Sequence, residues 1–413
     1  MKHRRGWAVR GALALAMLPG ALGTALAAER DGAVFAQAER YRSDAQALLQ
    51  RLVNIDSGTG QAQGVDAIQG ILSAELGALG AKLETLPATP SAGSNLVARF
   101  TGKGGARILM IAHTDTVFAA GTAAQRPFSI QGSRGHGPGV ADNKGGVVTG
   151  LYALKTLHQL QFTDYGQITL LFNPNEEVGS PGTRALIEKL AREHDVALNL
   201  EPGREADGVV AWRKGSAVVE LEVKGKSSHA GNRPQDGRNA AVELAHQILQ
   251  MGKLGDAAKQ TTINFTVMSA GDRSNVIPDR AVAQADARAM NNEELDRLER
   301  DLKAAAANKL IPDTEVKVTL RRSFPPMAQN PRTDALIARA QQIYAEIGRK
   351  LTVEGAGGAA DSSLTAGVGT PSLDGLGLVG GNLHAADEYV ELDSIAPRLY
   401  LLTRLLMDLG RRK

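Results

Sequence analysis

The sequence predicts an α/β protein: a mixed, mostly parallel sheet flanked by helices, interrupted by an inserted ferredoxin-like β-α-β-β-α-β unit. Three observations carry this expectation. In the first half, continuous apolar runs of strand length alternate with helix-patterned segments. After Trp212 the order changes, and two strand-like runs follow one another directly. "RSFPPMAQNP" then punctuates a return to the first pattern.

The elements follow in order. Apolar residues recur at helical spacing over 41–55, and "VDAIQGILSAELGALG" is a second helix closed by Gly80. "NLVARF" is a short strand. "RILMIAHTDTV" is an apolar run that turns polar, the pattern of a strand buried on both faces. A helix over 143–160 follows, then the strand "QITLLFNPNEE", the helix "SPGTRALIEKLAR" and the strand "VALNLEP". The insertion spans 214–323. It reads as the strand "SAVVELEVKG", the helix "NAAVELAHQILQM", the strands "TTINFTVMSAG" and "RAVAQADARA", the helix "NEELDRLERDLKAAAA" and the strand "EVKVTLRR". The remainder, with a helix over 333–347 and the Gly-rich "EGAGGAADSS", rejoins the first unit. The expected domains are therefore 28–213 with 324–413, and 214–323 between them.

Composition narrows the chemistry. The 413 residues suffice for a large core, and the 43% hydrophobic and 22% charged content is that of an ordinary globular protein. The net charge of +3 comes with no basic patch, so no nucleic-acid partner is expected. With no cysteine, disulfides, thiolate ligands and a cysteine nucleophile are excluded. Any metal must be held by His, Asp and Glu, ligands that suit catalytic zinc. The N-terminus has a basic start at Lys2 to Arg5, an apolar stretch broken by Pro19 and Gly20, and the small-x-small "ALA" at 25–27. This predicts a cleaved signal peptide over 1–27, a periplasmic or secreted mature protein, and no membrane contact after cleavage. No later stretch is apolar enough to span a bilayer.

Ligands in such a sheet belong at the carboxyl ends of strands. His113 and Asp115 end one strand, Glu176 and Glu177 the next, and Glu201 a third. Asp142 sits in the Gly-rich "GVADNKGG" before a helix, and His384 in "GGNLHAADE". Taken singly, each has an ordinary explanation: a core histidine, a helix N-cap for Asp142, a solvated turn for the Glu pair. Taken together, two imidazoles and several carboxylates form a set for two metal ions sharing one bridging carboxylate. His3 falls in the signal, His158, His194 and His246 fall in helix-like segments, and His136 is read as loop structure. His229, in "KGKSSHAGNRP", is either a turn residue or a group that reaches across a cleft to stabilise an oxyanion.

At these residues the chain resembles the di-zinc metallopeptidases of the aminoacylase/carboxypeptidase superfamily, most of all the glutamate carboxypeptidase branch of carboxypeptidase G type. The motifs that carry the resemblance are "HTDTV", "GPGVADNKGG", "NPNEEVGS", "NLEP", "GKSSHAG", "SNVIP", "ADAR" and "NLHAADEYV", from about residue 30 to the C-terminus. The resemblance implies two zinc ions. His113, Asp142 and Glu201 would hold one; Asp142, Glu177 and His384 would hold the other. It implies that Asp115 fixes the His113 ring and that Glu176 is general base and acid. It further implies that Asn275 and Arg288 hold the substrate carboxylate, that His229 polarises the scissile carbonyl from the lid of a dimer partner, and that the insertion is a lid and the interface of a homodimer.

The chain departs from the family pattern at two places. Asn143 replaces an aspartate that often follows the bridging one. Near Gly208 the glutamate-cleaving relatives carry a lysine; Arg204, Arg213 and Lys214 are the nearby cations that could take its place, so glutamate and a neutral or hydrophobic C-terminal residue both stay open. The function expected is a zinc exopeptidase that releases a C-terminal amino acid from a small N-acyl amino acid, a folate-like conjugate or a short peptide. The alternatives are an aminoacylase, deacetylase or dipeptidase with the same site and a neutral or hydrophobic preference. A periplasmic solute-binding protein is the non-enzyme alternative, and a second acid beside Glu177 argues against it.

Overall fold

The computed structural model describes residues 29–411. The signal peptide expected over 1–27 lies outside the described residues. Among those residues no helix is long and apolar enough to cross a membrane.

The central sheet has six strands. Their order is Lys82–Pro87, Ser94–Thr101, Gln167–Asn173, Arg107–His113, Val196–Asn199 and Ser372–Leu373. The first two pairings are antiparallel and the other three parallel. The apolar runs serve two cores at once because side chains alternate across a strand. Ile108 and Met110 pack in one core with Leu49, Leu52, Leu151 and Leu402. Leu109 and Ile111 pack in another with Ile187, Leu190 and Leu364. Helices Gly32–Val53, Lys144–Gln159 and Ile395–Gly410 supply the first core, and Arg184–Arg192 and Asp361–Gly367 the second.

Residues 215–324 form a four-stranded antiparallel sheet with two helices. The strands are Gly215–Lys224, Thr262–Ala270, Arg280–Ala289 and Glu315–Phe324. In space the second is at one edge, followed by the third, first and fourth. With helices Ala240–Met251 and Asn292–Ala307 this is the ferredoxin-like order, and it has its own core around Val219, Leu244, Ala285 and Leu298.

Several elements escaped the sequence reading. The edge strand Lys82–Pro87 is largely exposed and lacks an apolar run. Strands Gly208–Arg213 and Thr352–Ala356 pair in parallel as a separate ribbon. Arg134–His136, read as loop, is a strand in a small four-stranded sheet with Ser129–Gln131, Gly380–Gly381 and Tyr389–Glu391. Helix Ile395–Gly410 is buried almost all round, including Arg398 and Thr403 on its polar positions. The strand expected to reach Glu177 ends at Asn173. Pro174 follows, and Glu176 and Glu177 lie in a short 3₁₀ turn, Glu176–Val178.

In the insertion, Asn291 caps helix Asn292–Ala307 by accepting from the Glu294 N–H at 2.9 Å. The Glu294 carboxylate accepts from Lys259 at 2.7 Å, Thr261 at 3.0 Å and Arg297 at 2.9 Å. The Lys259 bond leads these in pulling its pKa from 4.5 down to about 2. A depressed folded pKa means the stabilisation is complete above 4.5 and is lost as pH falls through about 2. Glu294→Gln is therefore expected to melt a few degrees below the parent at neutral pH. Melting curves taken at decreasing pH should show that gap closing between 4.5 and about 2.

Candidate metal and active site

Three strand ends and two glycine-rich loops converge above the carboxyl edge of the six-stranded sheet. His113 is the last residue of its strand and is 1% exposed. Its Nδ1 faces the Asp115 carbonyl oxygen at 3.1 Å and the Asp115 carboxylate at 3.3 Å. That orients Nε2 toward Asp142 Oδ1 at 3.0 Å and Glu201 Oε1 at 3.6 Å. The second oxygen of Asp142 faces His384 Nε2 at 3.2 Å, and His384 Nε2 also lies 3.2 Å from Glu177 Oε2.

Two three-residue groups result, His113–Asp142–Glu201 and Asp142–Glu177–His384, each with ligating atoms within 4.8 Å of one another. Asp142 belongs to both and turns one oxygen to each histidine. The N-cap of helix Lys144–Gln159 is Asn143, so Asp142 is not a capping residue.

Asp115 does more than hold an imidazole. It is completely buried, and it accepts the backbone N–H of Glu176 at 3.0 Å and of Glu177 at 3.2 Å. Thr59 donates its hydroxyl to the same carboxylate at 2.6 Å. One side chain thus orients His113 and the turn that carries Glu176. Sequence reasoning found Asp115 but not this second task, because a backbone contact leaves no trace in residue type.

Glu388 was missed altogether. It is 1% exposed and accepts the N–H groups of Gly139, Ala141 and Asp142 at 3.3, 2.8 and 3.0 Å. It shapes the backbone that presents Asp142. Burial pushes its pKa up to about 7. In the sequence it sits in "ADEYVELD" among other acids, and nothing there separates it from a solvated one.

The electrostatics call for positive charge. Burial, with neighbouring Asp142 adding to it, pushes Glu201 up to about 8. Burial also holds Glu176 well above the ordinary carboxylate range, against the pull of His113. Hydrogen bonds to Asp142 and Glu177 raise His384 to about 10. Burial would raise Asp142, but the hydrogen bonds from His113 and His384 outweigh it and hold it low. Oxygens of Glu177 and Glu201 (Oε1 in each) are buried without a hydrogen-bond partner. Orphaned acceptors of this kind in an N/O donor set fit a divalent metal ion.

These residues open onto a cavity of ≈ 560 Å³. Asp142, Glu176, Glu177, Glu201 and His384 line one side, and Arg288 and Asp286 reach in from the inserted sheet. Arg288 is held by Asp286 at 2.9 Å. His229 and Asn275 are not on the lining. His229 pairs with Val276 in a short two-stranded ribbon, and Asn275, just before it, accepts the Ala230 N–H at its carbonyl at 3.0 Å. Both are exposed, and His229 Nδ1 accepts only from Gly231 and Asn232 of its own turn. Gly208 does not line the cavity either; its carbonyl accepts from Arg398 at 2.9 Å. Of the cations near it in sequence, Arg204 and Arg213 line the cavity, while Lys214 turns to the Gln260 carbonyl. His194 is a core residue, placed between the Leu190 carbonyl and Thr169.

Comparison with known proteins bears on the same residues. The model for peptidase family M20/M25/M40 matches residues 109–408. Carboxypeptidase G2 of Pseudomonas sp. (strain RS-16) is 39% identical over 398 residues, which cover 95% of each chain. Among solved structures, aminopeptidase PepT from Bacillus cereus ATCC 10987 has a TM-score of 0.77 at 22% identity, covering 89% of this chain and 98% of that one. The Bacillus subtilis YXEP protein, described as a dinuclear metal binding peptidase from the M20 family, has a TM-score of 0.68 at 14% identity, covering 90% and 98%. The two structural likenesses speak for the fold. The family match takes in His113, Asp142, Glu177, Glu201 and His384 alike, and the chain belongs to peptidase family M20/M25/M40 as a homologue of carboxypeptidase G2.

Proposed function

We propose that the chain is a di-zinc exopeptidase that hydrolyses an amide bond and releases the C-terminal amino acid of a small N-acyl amino acid or peptide. The observation that carries this is the shared Asp142, which joins two ligand groups beside an acid, Glu176, that belongs to neither. His113, Asp142 and Glu201 would hold one zinc, and Asp142, Glu177 and His384 the other. Bound there, zinc supplies Lewis-acid polarisation of the scissile carbonyl and acidifies water. Glu176 takes the proton of the attacking water and delivers it to the departing amine. Its burial favours the protonated form between those two transfers. Arg288 binds the substrate carboxylate through its planar fork.

His229 and Asn275 stand away from the cavity of their own chain. This supports a homodimer in which the partner supplies His229 to the scissile carbonyl, with residues 214–323 as lid and interface. The basic, apolar, small-x-small N-terminus supports export to the periplasm or beyond.

The cavity favours a neutral C-terminal residue. Arg213 is buried and paired with Asp374 at 2.6 Å, and Arg204 is turned to Glu354 at 3.3 Å, so the cations that line the cavity are already partnered and no lysine stands among them. Val178, Phe324 and Leu383 add apolar surface. With a common acyl group, a neutral residue is expected to be released at least as fast as glutamate, measured by initial rates over a panel; a strong glutamate preference would overturn this reading of the cavity.

Chelation should abolish hydrolysis and lower the melting temperature, and added zinc should restore both. Glu176→Gln is expected to lose about 10²–10⁴-fold in kcat while elemental analysis still finds two metals per chain. Glu176→Gln and His229→Ala, each inactive alone, should regain activity when their subunits are exchanged. Failure to complement in a proven mixed dimer would place His229 outside the partner's site.

A further inference from the structure

Asp361 is a buried acid that the proposed reaction does not use. It is 1% exposed, and among the described residues no Lys, Arg or His forms an ion pair with it. Its two oxygens accept from two different segments: Asn173 donates Nδ2–H to one at 2.7 Å, and Ser180 donates its hydroxyl to the other. Asn173 also donates to the Ser180 oxygen at 2.8 Å. Asn173 ends the Gln167–Asn173 strand, and Ser180 follows the turn that carries Glu176.

The loop between them is closed on itself. The Asn175 N–H donates to Asn173 Oδ1 at 3.0 Å, and the Ser180 N–H to the Asn175 carbonyl at 2.9 Å. Ser180 takes a left-handed φ of 54°, which sharpens the exit. Asp115 already holds the N–H groups of Glu176 and Glu177 from one side. Asp361 holds both ends of the same loop.

The chain around Asp361 adds a second connection. It opens helix Asp361–Gly367, directly after residues 355–359, which form a wall of the cavity. Gly357 and Gly358 have open space where a side chain would stand, so that wall presents bare backbone. Arg213, itself on the lining, fixes it by donating to the Gly358 carbonyl at 3.2 Å. An asparagine at 361 would have one acceptor oxygen and one NH2 group, which would either meet the Asn173 NH2 donor to donor or force the Ser180 hydroxyl from donating to accepting. An acceptor-only group is what this junction needs, despite the cost of burying it.

Resting on the exopeptidase reading above, we propose that Asp361 is a positioning residue for the reaction: it couples the glycine-rich wall at 355–359 to the Glu176 turn, so that a substrate seated on the wall meets Glu176 in a fixed position. Asp361 itself touches neither substrate nor metal.

The test is Asp361→Asn in the full-length, zinc-loaded protein. Expected are a kcat at least about tenfold lower, in line with the large cost of a 1 Å misplacement, a nearly unchanged KM and full metal content. The crystal structure of the loaded variant should show the Glu176 carboxylate displaced relative to Glu177. The swap Asn173→Asp with Asp361→Asn restores donor opposite acceptor and should recover most of the kcat. If Asp361→Asn does not fold, Ser180→Ala removes one of the two ties and should give the same kcat-against-KM split, in smaller measure. An unchanged kcat overturns the proposal. So does a loss that merely tracks metal content or folded fraction, or a swap that restores melting temperature without kcat. If the parent protein hydrolyses neither N-acyl amino acids nor short peptides, the exopeptidase reading fails on its own. Asp361 is then judged by the crystal structure alone, and an undisplaced Glu176 overturns it.

Discussion

The buried carboxylate of Asp115 is the constraint on which the site depends. It sits at a strand's carboxyl end with no exposure, and it must be fully hydrogen-bonded to be tolerated there. Its donors are the groups that have to be placed: the His113 ring, two consecutive N–H groups of the Glu176–Glu177 turn, and the Thr59 hydroxyl from a distant loop. Satisfying Asp115 and arranging the site are therefore the same event. The energy of those bonds goes into orientation, which is what a preorganised site requires.

The adjacent glutamates divide their work because of this turn. An extended strand would send successive side chains to opposite faces. Here the strand has already ended, and the two side chains leave a single 3₁₀ turn pinned at its N–H groups. Glu177 comes within reach of His384, while Glu176 belongs to neither metal group. Burial then separates their surroundings. Desolvation acts on both, but a direct imidazole contact offsets it only for Glu177. Two identical residues thus acquire different proton affinities from position alone.

The second scale of organisation is the two-core sheet with an insertion. Strands that feed both cores cannot shift in register without moving every side chain to the wrong face. The strand ends, and with them His113, Asn173 and Leu200 beside Glu201, are fixed to that frame. The insertion has a separate core and lines the cavity with Ser216, Ala217, Val218, Asp286, Arg288 and Ser323, with Phe324 at the junction stacked beneath Arg184. A separate core suits a unit that moves as a body.

Much of this was legible in the sequence. The apolar runs marked the central strands because burial on both faces leaves no polar alternation to confuse. The β-α-β-β-α-β order marked the insertion, and the absence of cysteine limited the ligands to His, Asp and Glu. Residue type and local spacing determined which donors exist and what chemistry they suit. Tertiary structure alone decided which donors meet. His113 meets Asp142 across 29 positions, and Asn173 meets Asp361 across 188. The same was true of Glu388 under the Asp142 loop, and of His229 and Asn275 standing off the cavity that Arg288 enters. The reason is physical: the sheet orders its strands by pairing rather than by sequence, and a buried acid is chosen by the backbone N–H groups folded around it, which the amino-acid code does not spell.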